Sequence, residues 1–204
     1  MFITFEGIDF CGKSTQVELL KKYLSDKGKI VEVIREPGGT IISEMIRKIL
    51  LDKVHENMCN ESEIFLFSAS RAQLVREKIR PYLIKGYYVI SDRFHDSSTA
   101  YQGFGRGLSI DALMNIHNLA IGDTIPDITF FIDITVDEAE KRKRLKHNEE
   151  LDRIEAADRA FFEKVRNGYL FLSQDKRFRR IDGMQPILEI HKQIVNEIEL
   201  LEMR

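Results

Sequence analysis

The chain has 204 residues, enough for one domain with a full core and a small lid, and its 43% hydrophobic and 31% charged content is that of an ordinary soluble protein. A net charge of −2 excludes a chain-wide basic surface, so any nucleic-acid partner would need a local basic patch. The start of the chain carries no basic region and no long apolar segment, so neither a signal peptide nor a membrane span is expected, and a cytoplasmic location follows by default.

Phe2, Ile3 and Phe5 read as a short buried strand. It runs into Gly7-Ile8-Asp9-Phe10-Cys11-Gly12-Lys13-Ser14-Thr15, which has the phosphate-loop spacing of a glycine, four residues and Gly-Lys-Ser. Val17, Leu20 and Leu24 fall on one face of the helix that follows. The loop therefore sits between a strand and a helix N-terminus, where converging N–H groups and the helix dipole favour an anion. Gly7 and Gly12 allow close backbone approach, Lys13 can reach β- and γ-phosphates, and the Ser14 hydroxyl can ligate Mg²⁺. Residues 30–34 predict a second strand, which ends in the tight turn Arg35-Glu36-Pro37-Gly38-Gly39-Thr40. Ile42, Met45, Ile46, Ile49 and Leu50 mark an amphipathic helix. Another helix is expected over 63–80, stopped by Pro81. A third strand over 87–91 feeds Asp92-Arg93. Residues 108–120 read as helix, 127–133 as a fourth strand, 136–144 and 156–172 as helices, and 178–181 as a short fifth strand. A terminal helix over 187–201 carries Ile187, Ile190, Ile194 and Ile198 at helical spacing.

Strands alternating with helices predict an α/β fold: a P-loop NTPase-type three-layer sandwich, with a parallel sheet of about five strands and helices on both faces. Ligands in such sheets bind beyond the carboxyl ends of the strands. The phosphate loop, the 35–40 turn and the polar 92–102 turn should then meet at one crevice. A single domain over 1–204 is expected, with a lid segment at about 141–155.

Arginine offers a planar fork suited to phosphate oxygens, and Arg47, Arg71 and Arg93 lie on or beside elements expected to face that crevice. Arg93 stands out, because it ends a strongly apolar strand. Phe67 and Arg71 lie four apart on one helix face, so ring and fork together suit a base and its phosphate, and a core position for Phe67 fits the same spacing. The run Lys141-Arg142-Lys143-Arg144-Leu145-Lys146 reads as a charged helix end, as a nucleic-acid patch, or as a lid that closes arginines over triphosphate. Asp9 suits a sugar hydroxyl, an arginine such as Arg93, or a role in loop conformation. The two cysteines, Cys11 and Cys59, lack metal-ligand spacing and are expected to be reduced, and the five histidines form no ligand pair.

The segment from Phe5 to Gln16 resembles the start of a bacterial thymidylate kinase. The turn Arg35–Thr40 is similar to that family's turn after its second strand. The segment Asp92-Arg93-Phe-His-Asp-Ser-Ser98-Thr-Ala-Tyr101-Gln102-Gly103 matches its "DR…S…AYQG" motif, and Leu151-Asp152-Arg153-Ile154-Glu155 its lid. The resemblance covers essentially the whole chain. It implies transfer of the ATP γ-phosphoryl group to dTMP with Mg²⁺, in dTTP biosynthesis, by a homodimer with nucleotide partners and neither nucleic acid nor membrane. By resemblance, residues 7–15 bind ATP, and Ser14 supports the metal. Phe67 stacks on thymine, Arg71 and Ser98 contact the base, and Asp9 meets the 3′-hydroxyl. Arg47 and Arg93 hold the acceptor phosphate. Tyr101 crowds the 2′ position with Gln102 nearby, and Glu36 and Pro37 complete the dTMP site. The phosphate loop has no arginine, so catalytic cations beyond Lys13 and Arg93 are expected from the lid, among Arg142, Arg144, Lys146 and Arg153. The adenine pocket would include residues 182–186. Phe10 and Cys11 depart from the small residues usual in this loop, and the lid is longer than usual between Arg142 and Asp152. Another nucleoside monophosphate kinase, or a nucleotide-dependent switch, remains the alternative, although the Asn-Lys-x-Asp guanine motif of a GTPase is missing.

Overall fold

A computed structural model describes residues 1–145 and 151–203. Five strands, β1 (Phe2–Glu6), β2 (Val31–Arg35), β3 (Tyr88–Asp92), β4 (Ile128–Asp133) and β5 (Phe178–Asp182), form one sheet in the order β2-β3-β1-β4-β5. All four pairings are parallel. β1 and β4 are buried along their whole length, as central strands covered on both faces must be. The register sets Phe5 beside Asp92, Arg35 beside Asp92, and Glu6 beside Phe131, so the strands end together. Strand order reverses about β1, which opens a crevice at that edge. This is the P-loop NTPase α/β architecture.

The helices are α1 (Lys13–Asp26), α2 (Ile41–Leu51), α3 (Asn60–Leu74), α4 (Arg80–Ile84), α5 (His95–Ser98), α6 (Ile110–Ile121), α7 (Val136–Leu145), α8 (Arg159–Leu172) and α9 (Ile187–Glu202). One cluster of the core joins Leu20 and Leu24 of α1, Phe5, Phe130 and Ile132 of the sheet, Val165 and Tyr169 of α8, and Ile194 and Ile198 of α9. Among the described residues no helix is long and apolar enough to cross a membrane.

Three expectations need correction. Pro81 does not stop its helix. α3 passes through a π-helical turn, Val75–Ile79, straight into α4, and that wider turn accommodates Pro81, which has no N–H to donate, as the second residue of α4. The polar 92–102 segment is mostly helical, as α5 followed by a wide turn over Thr99–Gly105. α8 starts at Arg159 rather than 156, because the Asp158 carboxylate accepts the Phe161 N–H at 2.8 Å and caps it. The apolar stripe read on α2 exists, but Leu50 is buried while Ile41, Ile42, Met45 and Ile49 face solvent. Lys146 and the rest of 146–150 lie outside the described residues, so only part of the expected lid is seen.

Candidate active site

The loop after β1 has the backbone its glycines permit. Gly7 and Gly12 have φ of 142° and 100°. A Cβ on Gly7 would lie 2.6 Å from the Ile132 carbonyl oxygen, so no other residue fits there. Phe10 also takes a left-handed φ of 64°, which is uncommon for a residue with a side chain. Lys13 is nearly buried and folds back over the loop, donating to the carbonyls of Gly7 and Ile8 at 3.0 Å each. The Ser14 hydroxyl donates to Asp92 Oδ2 at 2.7 Å.

Arg93 leaves β3 with φ 71°, in the left-handed region. Its Nη1 donates to the Gly7 carbonyl at 3.0 Å and to the hydroxyls of Ser97 and Tyr169 at 3.1 Å. Its Nη2 donates to Asp9 Oδ1 at 2.6 Å and to the Tyr101 hydroxyl at 3.0 Å. Tyr101 in turn donates to Asp9 Oδ2 at 2.8 Å. Burial pushes the Asp9 carboxyl up, but the Arg93 and Lys13 cations and the Tyr101 hydroxyl outweigh it and hold Asp9 below the usual carboxylate range. Asp9, Tyr101 and Arg93 are thus one fixed ionic unit at the centre of the crevice.

On the far side, Arg71 is fully buried in α3. Its Nε donates to Glu36 Oε2 at 2.6 Å, and its Nη2 donates to Ser98 Oγ at 3.0 Å. Burial raises the Glu36 carboxyl, and Arg71 pulls against it. Arg47 Nη1 donates to the Pro37 carbonyl at 2.9 Å. Gln102 is buried and donates to Glu63 at 2.8 Å. At the near end Arg142 donates to the carbonyls of Cys11 at 3.3 Å and Gly183 at 2.9 Å, joining the loop to the turn after β5.

These groups line one cleft of about 690 Å³. It runs from Phe10, Lys13, Ser14 and Thr15 past Asp9 and Arg93 to Glu36, Pro37, Arg47, Phe67, Arg71, Ser98, Tyr101 and Gln102. Phe67 is half-buried, packed against the core and open to the cleft. Arg144 and Arg153, expected among the lid cations, are placed elsewhere. Arg144 is exposed, 3.9 Å from Glu140. Arg153 is held by Glu63 at 2.6 Å and donates to the Leu50 carbonyl at 2.9 Å, because a buried carboxylate competes for it.

The sequence family model described as "Thymidylate kinase" matches residues 5–194. This chain belongs to the thymidylate kinase family. It is 50% identical over 201 residues to the thymidylate kinase of Caldanaerobacter subterraneus subsp. tengcongensis, covering 97% of this chain and 94% of that one. It is likewise 50% identical over 202 residues to that of Thermosipho melanesiensis, covering 98% of both. The crystal structure of thymidylate kinase from Ehrlichia chaffeensis superposes with a TM-score of 0.79 at 33% identity, covering 98% of each chain. Membership makes the chain a nucleotide-binding phosphotransferase.

Sequence reasoning missed several groups around this cleft. Ser97, Tyr169 and Glu6 surround Arg93, and Glu63 gathers Gln102, Arg106 and Arg153. Tyr169 sits on a core-facing helix with nothing local to mark it. Glu6 did carry a signal, a carboxylate closing an otherwise apolar strand directly before Gly7.

Proposed function

We propose that this chain phosphorylates dTMP to dTDP with the γ-phosphoryl group of ATP, in the supply of dTTP. The observation that carries the reading is the two-ended cleft, with a phosphate loop at one end, buried Arg71 and Phe67 at the other, and Arg93 with Asp9 between them. The donor binds along residues 7–15, with adenine toward the turn at 182–186 that Arg142 ties to the loop. At the acceptor end Phe67 stacks on thymine, and Arg71, oriented by Glu36, and Ser98 meet the base edge. Asp9 takes the 3′-hydroxyl and Tyr101 fills the 2′ side, with Gln102 behind it. Arg47 and Arg93 take the phosphate beside Pro37.

Phosphoryl transfer has a loose transition state with charge spread over oxygens, so catalysis is mainly positioning and electrostatics. Lys13 exchanges two backbone carbonyls for phosphate oxygens on binding. Arg93 holds the incoming phosphate against the transferring group. That phosphate is already ionised, so no side chain needs to remove a proton. Arg142 is the lid-side cation best placed to follow the donor phosphates. The oxygens of Ser14 and Asp92, 2.7 Å apart, fit Mg²⁺, which prefers few protein oxygens plus phosphates and water. When bound, Mg²⁺ neutralises charge between the donor phosphates. We assign residues 1–204 to one catalytic domain with a lid over 141–155, acting as a homodimer in the cytoplasm.

The test is coupled ADP release with ATP, Mg²⁺ and one monophosphate at a time. Strong turnover with dTMP alone is expected. Preference for AMP, GMP or CMP would sink the acceptor assignments and leave the donor site standing.

A further inference from the structure

Glu6 is a fully buried carboxylate with no part in the chemistry above. It ends β1, one residue before the phosphate loop. Its Oε1 accepts the Phe94 N–H at 2.7 Å. Its Oε2 accepts the Ser97 hydroxyl at 2.6 Å and the Tyr169 hydroxyl at 2.9 Å. Those same two hydroxyls each lie 3.1 Å from Arg93 Nη1.

The proton inventory fixes the direction of the bonds to Glu6 and to Arg93, and leaves the 2.9 Å contact between the two hydroxyls without a proton of its own. An ionised carboxylate only accepts, and a guanidinium only donates. Each hydroxyl has one proton, which goes to Glu6, and its lone pairs then face Arg93. The Phe94 N–H meanwhile pins the peptide directly after Arg93, whose φ of 71° is costly for a residue with a Cβ. Glu6 thus holds both the backbone and the side chain of Arg93.

We propose that Glu6 is a positioning residue for the acceptor phosphate, acting through Arg93: it orients the Ser97 and Tyr169 hydroxyls as acceptors and locks the turn that presents the guanidinium. This rests on the reading of Arg93 as an acceptor-phosphate ligand. It also gives the site a pH response. Burial, with Asp96 nearby, pushes the Glu6 carboxyl up to about 7 against the pull of Arg93, Ser97 and the Phe94 N–H, with Tyr169 and Arg177 also facing it. A protonated Glu6 donates to a hydroxyl and turns that hydroxyl's proton toward Arg93.

Glu6→Gln keeps the shape and replaces an acceptor with a donor. The KM for dTMP should rise roughly tenfold, the scale of one or two misdirected buried hydrogen bonds, while the KM for ATP stays within about twofold. As pH falls through 7, the KM for dTMP should climb more steeply in the unsubstituted enzyme than in the variant, since the phosphate's own titration is common to both. Tyr169→Phe, which removes one of the two hydroxyls, should shift the dTMP KM the same way by a smaller factor, and it carries the test if Glu6→Gln does not fold. Equal changes in both KM values, or parallel pH profiles, would overturn the proposal. Lack of dTMP turnover in the unsubstituted enzyme would instead overturn the acceptor-site reading beneath it.

Discussion

Lys13 shows how much of this site is held in fixed charge. Its ammonium lies within the loop, 3.0 Å from two carbonyls, and these contacts do not tie elements together. Lys13→Ala should therefore leave the fold intact and cut dTMP turnover by roughly 10²- to 10³-fold, the scale of removing one preorganised donor from a transferring group. Turnover within a few-fold of the unsubstituted enzyme, at unchanged thermal stability, would remove Lys13 from the chemistry. Lys13, Asp9 and Arg93 were legible in the sequence because local spacing marks them: a loop motif, and an arginine closing an apolar strand. Glu6, Ser97 and Tyr169 were not. Tyr169 meets Glu6 across 163 positions, and no local pattern encodes a contact of that separation. Arg153 was legible as a lid residue but not in its placement, because its partner Glu63 lies 90 positions away on α3.

At the scale of elements, α5 and α6 pack through two buried histidines, His95 and His117, whose rings lie 5.4 Å apart. Burial pushes His95 down to about 4, with Arg177 and Arg71 adding to it against Asp96. Burial, Arg71 and His95 push His117 down to about 2. Each is neutral when folded and takes up a proton readily when unfolded. Their stabilisation is fully present above pH 6.5, the ordinary histidine value, and is lost as pH falls toward the folded values. Between pH 6.5 and 4 this amounts to about 1.4 kcal/mol per pH unit for each histidine at most. His117→Gln preserves a partner for the Thr99 hydroxyl, 3.1 Å from Nε2. Urea unfolding of this variant at several pH values should show a shallower acid slope than the unsubstituted protein. An identical slope would mean that other groups drive the acid loss. The sequence marked α6 by period, within two residues at either end, but read the stretch that holds α5 as a polar turn. Pro81 misled because a π-helical turn, invisible to a 3.6-residue period, lets a helix pass a proline.

At the scale of the whole molecule, most of the apolar stripe of α2 lies uncovered among the described residues. Ile41 is 82% exposed, Met45 62%, and Phe65 on the adjoining α3 60%. α2 packs on α3 and α3 on α6, whose Met114 and Leu119 also face solvent. The helical period was readable in the sequence, but period does not say whether a stripe faces the core or a second chain. Exposed apolar residues grouped on neighbouring helices mark an association surface, and two-fold self-association is the commonest way to bury one. The homodimer proposed above would place α2 and α3 against their copies, close to the acceptor end of the cleft, since Arg47 of α2 and Phe67 and Arg71 of α3 line it. Sedimentation equilibrium should give twice the 23.8 kDa chain mass. Met45→Glu with Phe65→Glu sets charge in the middle of that surface and should shift the protein to monomer at micromolar concentration. Helix packing behind Arg47, Phe67 and Arg71 would then loosen, so the KM for dTMP should rise more than that for ATP. A monomeric mass for the unsubstituted protein would show that these residues serve no self-association, and an unchanged dimer in the charged variant would move the interface to another face.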